Sequence, residues 1–246
     1  MRINLLGAPV DALSLDGAVE RVAAFVADGR PRQVITLNPE ILYRAYYDGA
    51  LMNLLKAADL VTADGVGIVW AARVAGTPVP ERVTGIDLML RLMPRAAREG
   101  WRIFLLGAAP GVAAEAARRL VGQYPGLVIA GTRHGYFKPD EEGAVVEEIR
   151  RAAPHLLFAA LGAPKQEWFI ARHKEALGVP VAMGVGGSFD VLAGRVKRAP
   201  LWMRRLHLEW LGRLLMEPSR WRRMLVLPRF ARLVWSRARH CGSERD

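Results

Sequence analysis

The residues of this chain that could do chemistry sit in short polar segments, most of them directly after apolar runs. Thr36-Leu37-Asn38-Pro39-Glu40 sets a hydroxyl and a carboxamide after the run from Val34 to Leu37. Asn38 suits a helix N-cap and Pro39 the first helical position. Ala63-Asp64-Gly65 follows Leu60 to Ala63, and a carboxylate in a glycine-flanked turn serves either as a cap or as a general base. Gly107-Ala108-Ala109-Pro110-Gly111 opens a helix after Arg102 to Leu106, where backbone N–H groups and the helix dipole can hold a phosphate. Its spacing is neither that of a dinucleotide fingerprint nor that of a P-loop. Leu161-Gly162-Ala163-Pro164-Lys165-Gln166-Glu167 repeats the arrangement with a cation and an amide donor in the first turn. In Gly184-Val185-Gly186-Gly187-Ser188-Phe189-Asp190, glycines let a ligand approach the backbone, and Asp190 can accept from ribose hydroxyls. Arg82, Thr84 and Asp87 form a further polar patch, in which Arg82 can meet a phosphate or pair with Glu81 or Asp87.

The elements that must position these groups alternate. Strand-like runs are expected at Val34 to Leu37, Leu60 to Ala63, Arg102 to Leu106, Leu127 to Gly131, Leu156 to Leu161 and Val181 to Val185, and the N-terminus enters a strand-like Ile3 to Leu6. Apolar residues at three- and four-residue spacing predict helices over Ala18 to Val26, Pro39 to Tyr47, Ile86 to Ala97, Gly111 to Val121, Glu141 to Arg151 and Pro164 to His173. The alternation implies an α/β, Rossmann-like fold with a mostly parallel sheet covered by helices on both faces. In such sheets ligands collect outside the carboxyl ends of the strands, which is where the polar segments fall.

The last quarter differs in character. From Arg195 to Arg239 arginines dominate, answered only by Glu209 and Glu217, and Trp202, Trp210, Trp221 and Trp235 are interspersed with leucines. Much of the net charge of +11 resides here. No strand signal is present, and Pro200, Pro218 and Pro228 divide the segment into helical pieces. The division expected is a core over residues 1–194 and a basic amphipathic helical appendage over 195–246. Such a segment fits an anionic bilayer, with indoles at headgroup level and arginines among phosphates. A basic helix packed on its own core, or a nucleic-acid surface, is the competing reading.

Composition narrows the classes. At 246 residues and 52% hydrophobic composition the chain can bury a large core. No run approaches the roughly 18–20 apolar residues needed to span a bilayer, and no signal-peptide pattern opens the sequence, so a cytoplasmic location is expected. Cys241 has no partner cysteine. No D-x-D pair is present to hold a divalent metal on a nucleotide diphosphate. The histidines, His134, His155, His173, His207 and His240, lack zinc-site spacing, and Ser188 lacks a G-x-S-x-G setting.

Taken together, Thr36-Leu37-Asn38-Pro39, Ala63-Asp64-Gly65-Val66-Gly67, Arg82-Val83-Thr84-Gly85, Leu106-Gly107, the segment from Leu161 to Glu167 and Gly184-Val185-Gly186-Gly187 resemble the WecG/TagA/CpsF glycosyltransferases, N-acetylmannosaminyl-type enzymes of teichoic acid and other surface polysaccharide pathways. The resemblance runs from about residue 2 to about residue 235. It implies inverting transfer of a sugar, N-acetylmannosamine first among the choices, from a UDP-sugar donor to a polyprenyl-diphosphate-linked N-acetylglucosamine acceptor at the inner face of the cell membrane. It makes Asp64 the general base and sets Thr36, Asn38, Arg82 and Gln166 around the sugar and diphosphate. Arg213, Arg220 and Arg223 match appendage arginines that cover the site. Gly107, Tyr136, Lys165 and Asp190 become nucleotide-side candidates, Tyr136 against a competing role in core packing. No metal or other cofactor is implied, nor a nucleic-acid partner; self-association of the core is an open expectation. The rivals are an NAD(P)-dependent oxidoreductase, which lacks its fingerprint, and a nucleic-acid-binding protein, which leaves the strand-end motifs unexplained.

Overall fold

The computed structural model describes residues 1–197, 200, 203 and 225–242. Its centre is a six-stranded sheet built from β3 (Arg32–Leu37), β4 (Leu60–Ala63), β5 (Arg102–Gly107), β6 (Val128–Arg133), β7 (Leu156–Ala160) and β8 (Val181–Gly184). The strand order is β4-β3-β8-β7-β5-β6 and every pairing is parallel. A separate antiparallel hairpin pairs β1 (Arg2–Leu5) with β2 (Ala8–Asp11). The expected parallel α/β architecture is what the chain adopts.

Period-two side-chain alternation divides each strand between two apolar layers. Ile103 and Leu105 enter one core while Phe104 and Leu106 enter another, and Phe158 opposes Leu157 in the same way. The first layer is covered by α1 (Leu15–Asp28), α5 (Gly85–Glu99) and α6 (Val112–Gln123). The second is covered by α2 (Pro39–Tyr47), α3 (Gly49–Ala57), α4 (Val66–Val74), α7 (Glu142–Ala152) and α8 (Lys165–Leu177). With both faces covered, the strands read as continuous apolar runs, as parallel sheets require.

Four elements are not signalled by periodicity. Helix α3 follows α2 with only Asp48 between them, and Asp48 caps it by accepting from Ala50 N and Leu51 N. Helix α4 starts at Gly65 with no side-chain cap, and β2 contains Pro9. A five-residue helix, α9 (Ser188–Leu192), follows β8.

The C-terminal helix α10 (Val226–Gly242) carries Pro228 in its first turn, where a missing N–H costs nothing. It lies on α2 and α4. Phe230, Leu233 and Val234 are buried, while Arg229, Arg232, Trp235 and Arg237 are exposed. Burial of each such apolar side chain stabilises by about 1.5–3 kcal/mol, so its apolar face holds this helix to the core. Among the described residues no helix is long and apolar enough to cross a membrane.

The two ends of the sheet are chemically different. At the amino-terminal edge, Asp59 accepts from Arg32 Nη1 at 2.9 Å, Gln33 N at 2.8 Å and Lys174 Nζ at 3.0 Å, tying β3, β4 and α8 together. At the carboxyl edge lie the turns singled out by their residue types.

Candidate functional site

Parallel pairing brings the carboxyl ends of β3, β4, β8, β7 and β5 onto one edge. β8 is inserted between β3 and β7, so the turn after residue 184 stands beside the turn after residue 37. Thr36 Oγ1 donates to Gly184 O at 3.4 Å and is buried. A Cβ placed on Gly85 would stand 3.3 Å from Thr36 Oγ1 and 3.5 Å from Val185 Cα, so α5 begins against the same spot.

Asp64 is held by main chain on both sides. Its N–H donates to Leu37 O at 2.8 Å, and Ala63 O accepts from Val83 N at 2.9 Å. The second bond extends the sheet by one connection and lays Arg82-Val83-Thr84 alongside the Asp64 turn. Thr84 then caps α5, accepting from Asp87 N at 3.2 Å and donating to Asp87 Oδ2 at 2.7 Å. Arg82 and Thr84 therefore arrive beside Asp64 through backbone pairing rather than through sequence proximity.

Asn38 caps α2 through Oδ1, which accepts from Ile41 N at 3.0 Å. The cap uses only the amide oxygen, so the Nδ2 group keeps its donor capacity. The turn from Asp64 to Gly67 is pressed onto this helix start: a Cβ on Gly67 would lie 2.6 Å from Pro39 Cγ and 3.9 Å from Phe230 Cε1. The C-terminal helix thus braces the segment that carries Asp64.

Gln166 enters from the first turn of α8 and is buried. Its Oε1 accepts from Gly186 N at 3.2 Å and its Nε2 donates to Glu167 Oε1 at 2.8 Å. The carboxamide packs against Gly184: a Cβ there would stand 2.5 Å from Gln166 Nε2. Thr36, Asn38, Asp64, Arg82 and Gln166, scattered over 130 positions of sequence, thus belong to adjoining turns of one edge.

The nucleotide-side candidates lie on the same edge. Ala108 N donates to Ala160 O at 3.0 Å and Gly135 N to Ala108 O at 2.9 Å, joining the turns after β5, β6 and β7. Gly107 ends β5. Lys165 Nζ lies 5.3 Å from the centre of the Phe137 ring, a cation–π contact. Tyr136 is 73% exposed, which removes core packing as its role. Asp190 sits in the first turn of α9, where its carbonyl accepts from Arg195 N and Val196 N. A cavity of about 350 Å³ lined in part by Gly111, Thr132, Arg133, His134 and Glu148 opens on the β6 side, beyond these turns from Asp64. Arg213, Arg220 and Arg223 lie outside the described residues.

Glu167 has no role that its sequence position signals. It is 1% exposed, its Oε2 accepts no hydrogen bond among the described residues, and burial pushes its carboxyl from the usual 4.5 up to about 7 against the lowering effect of the Gln166 hydrogen bond. Nothing in the spacing of the segment distinguishes this glutamate from a solvated first-turn carboxylate.

Comparison with known proteins places the whole chain. The chain matches the glycosyl transferase WecG/TagA/CpsF family over residues 3–243. It is 41% identical over 201 residues to an N-acetylglucosaminyldiphosphoundecaprenol N-acetyl-beta-D-mannosaminyltransferase of Bacillus spizizenii, covering 82% of this chain and 77% of that protein. The protein of the same name from Bacillus subtilis is 39% identical over 201 residues, with 82% and 78% covered. That from Staphylococcus aureus is 35% identical over 231 residues, with 93% and 90% covered. A parallel sheet with its polar turns gathered at one edge and a match spanning nearly the whole length lead to one conclusion: the chain belongs to the WecG/TagA/CpsF family of glycosyltransferases.

Proposed function

We propose that this protein transfers N-acetylmannosamine from a UDP-sugar to a polyprenyl-diphosphate-linked N-acetylglucosamine, with inversion at the anomeric carbon. The observation that carries the reading is the convergence of the Asp64 turn, Arg82 to Gly85, Thr36 and Gln166 on one sheet edge, in a chain whose relatives are named as N-acetylmannosaminyltransferases acting on N-acetylglucosaminyldiphosphoundecaprenol. In this reading the acceptor hydroxyl attacks the anomeric carbon, Asp64 takes its proton, and the bond from that carbon to the UDP oxygen breaks on the opposite face. Positioned proton transfer of this kind contributes about a hundred- to ten-thousand-fold in rate. Thr36, Asn38, Arg82 and Gln166 hold the sugar and diphosphate. Gly107, Tyr136, Lys165 and Asp190 hold the nucleotide. Charge on the departing diphosphate is met by fixed cations and helix starts, Arg213, Arg220 and Arg223 among them, without a metal. The basic appendage meets an anionic membrane surface on the cytoplasmic side, where the lipid-linked acceptor resides.

The test is UDP release from UDP-N-acetylmannosamine with a polyprenyl-diphosphate-N-acetylglucosamine acceptor, for wild type and Asp64→Asn. Acceptor-dependent release that the substitution abolishes and that EDTA leaves unchanged is the expected result. Full release by Asp64→Asn would remove Asp64 from the base role, loss with EDTA would overturn metal independence, and no release by wild type with any UDP-sugar would overturn the reading.

A further inference from the structure

An amide side chain has two ends of nearly equal size, and only its partners decide which way round it sits. For Gln166 those partners are Gly186 N–H, a long bond at 3.2 Å to Oε1, and Glu167 Oε1, a short one at 2.8 Å from Nε2. Both demand the same orientation. The remaining N–H of Nε2 and the remaining lone pair of Oε1 are then held in set directions beside Gly184, the residue whose carbonyl receives Thr36.

Glu167 reaches that position at a cost. A carboxyl is among the groups least often fully buried, this one is 1% exposed, and Oε2 has no hydrogen-bond partner among the described residues. An apolar side chain would fill the same space without the desolvation penalty. What it could not supply is an acceptor for Gln166 Nε2. Oε1 accepts whether the carboxyl is neutral or ionised, so the contact persists across the neutral range.

We infer that Glu167 is a positioning residue, a buried carboxyl clamp that sets the side-chain amide of Gln166 in the orientation used at the donor site. The inference rests on the reading of Gln166 as a substrate-binding residue. Glu167 itself touches no substrate in this account and acts through its neighbour.

The experiment compares Glu167→Met, which keeps volume and removes the acceptor, with Glu167→Gln, which retains a carbonyl oxygen, each alone and with Gln166→Ala. Transfer kcat/KM should fall about tenfold or more in Glu167→Met, as displaced positioning groups cause, and recover most of that loss in Glu167→Gln. In the Gln166→Ala background Glu167→Met should have no further effect, since residues acting through one contact are not additive. Equal losses in both backgrounds, or a Glu167→Gln variant as impaired as Glu167→Met, would overturn the clamp. A second readout does not need activity: the side-chain ¹⁵N–¹H pair of Gln166, assigned by its absence in Gln166→Ala, should move in Glu167→Met and stay near its wild-type position in Glu167→Gln. Unmoved resonances in Glu167→Met refute the clamp. Resonances that move in Glu167→Met, combined with a wild type that transfers no sugar, would keep the clamp and remove the donor-site role of Gln166.

Discussion

Replacing Glu167 by glutamine is expected to alter the pH dependence of stability. The unfolded chain ionises this carboxyl near 4.5 and the folded protein near 7, because burial outweighs the hydrogen bond from Gln166. Between those values the folded state retains a proton that the unfolded state has lost, so stability falls as pH rises and levels off above about pH 7. At about 1.36 kcal/mol per pH unit the gap is worth about 3 kcal/mol in full, most of it expressed between pH 5 and pH 8. Glutamine keeps the acceptor oxygen and has no proton to lose. Any cost of its own unpaired amide is the same at both pH values. Urea unfolding followed by tryptophan fluorescence at the two pH values reads the difference directly. The stability of Glu167→Gln relative to wild type should rise by about 2–3 kcal/mol from pH 5 to pH 8, or about 4–12 °C in thermal midpoint for a chain of this size. Parallel pH profiles for the two proteins would refute the argument that desolvation of this carboxyl outweighs its hydrogen bond.

Gly184→Ala would set a methyl 2.5 Å from Gln166 Nε2; transfer should fall at least tenfold while overpacking costs about 1–3 kcal/mol, and retained activity with a lowered thermal midpoint would show that Gln166 relocates freely. Phe230→Ala removes a ring that is 2% exposed and lies against Gly67, so a loss of about 3–5 kcal/mol and faster hydrogen exchange in α4 and α10 are expected; unchanged exchange in α4 would show that α10 does not brace the Asp64 turn. Vesicles containing anionic lipid should retain the protein at low ionic strength and release it as salt rises, since each basic residue near such a surface contributes about 1 kcal/mol; equal binding to neutral vesicles would remove the cationic contribution.

Much of this architecture follows from local chemistry alone. Helix α2 runs from Pro39 to Tyr47 as expected, because Asn38 is a cap and Pro39 a first-turn residue whatever surrounds them. Strand β4 is Leu60–Ala63, an apolar run closed by Asp64-Gly65. Other elements lacked a local signal. Helix α4 is apolar around most of its surface and begins at an uncapped glycine, so its sequence has no period to read. Helix α3 continues the apolar spacing of α2 across Asp48, and Pro9 weakens the strand signal of β2.

The site divides in the same way. Asp64 in its glycine turn, the Asn38 cap and the donors of Lys165 and Gln166 at a helix start can be read from residue types, because each depends on neighbours within a few positions. That β8 lies between β3 and β7, bringing Gly184 to Thr36, depends on strand order, which no local pattern encodes. The approach of Arg82 to Asp64 depends on one backbone pairing beyond the end of β4. The burial of Glu167 and its bond to Gln166 depend on how α8 settles on β3 and β8. In the sequence this glutamate looks like any first-turn carboxylate; only packing, by removing its water, sets its proton affinity and makes it a partner for its neighbour.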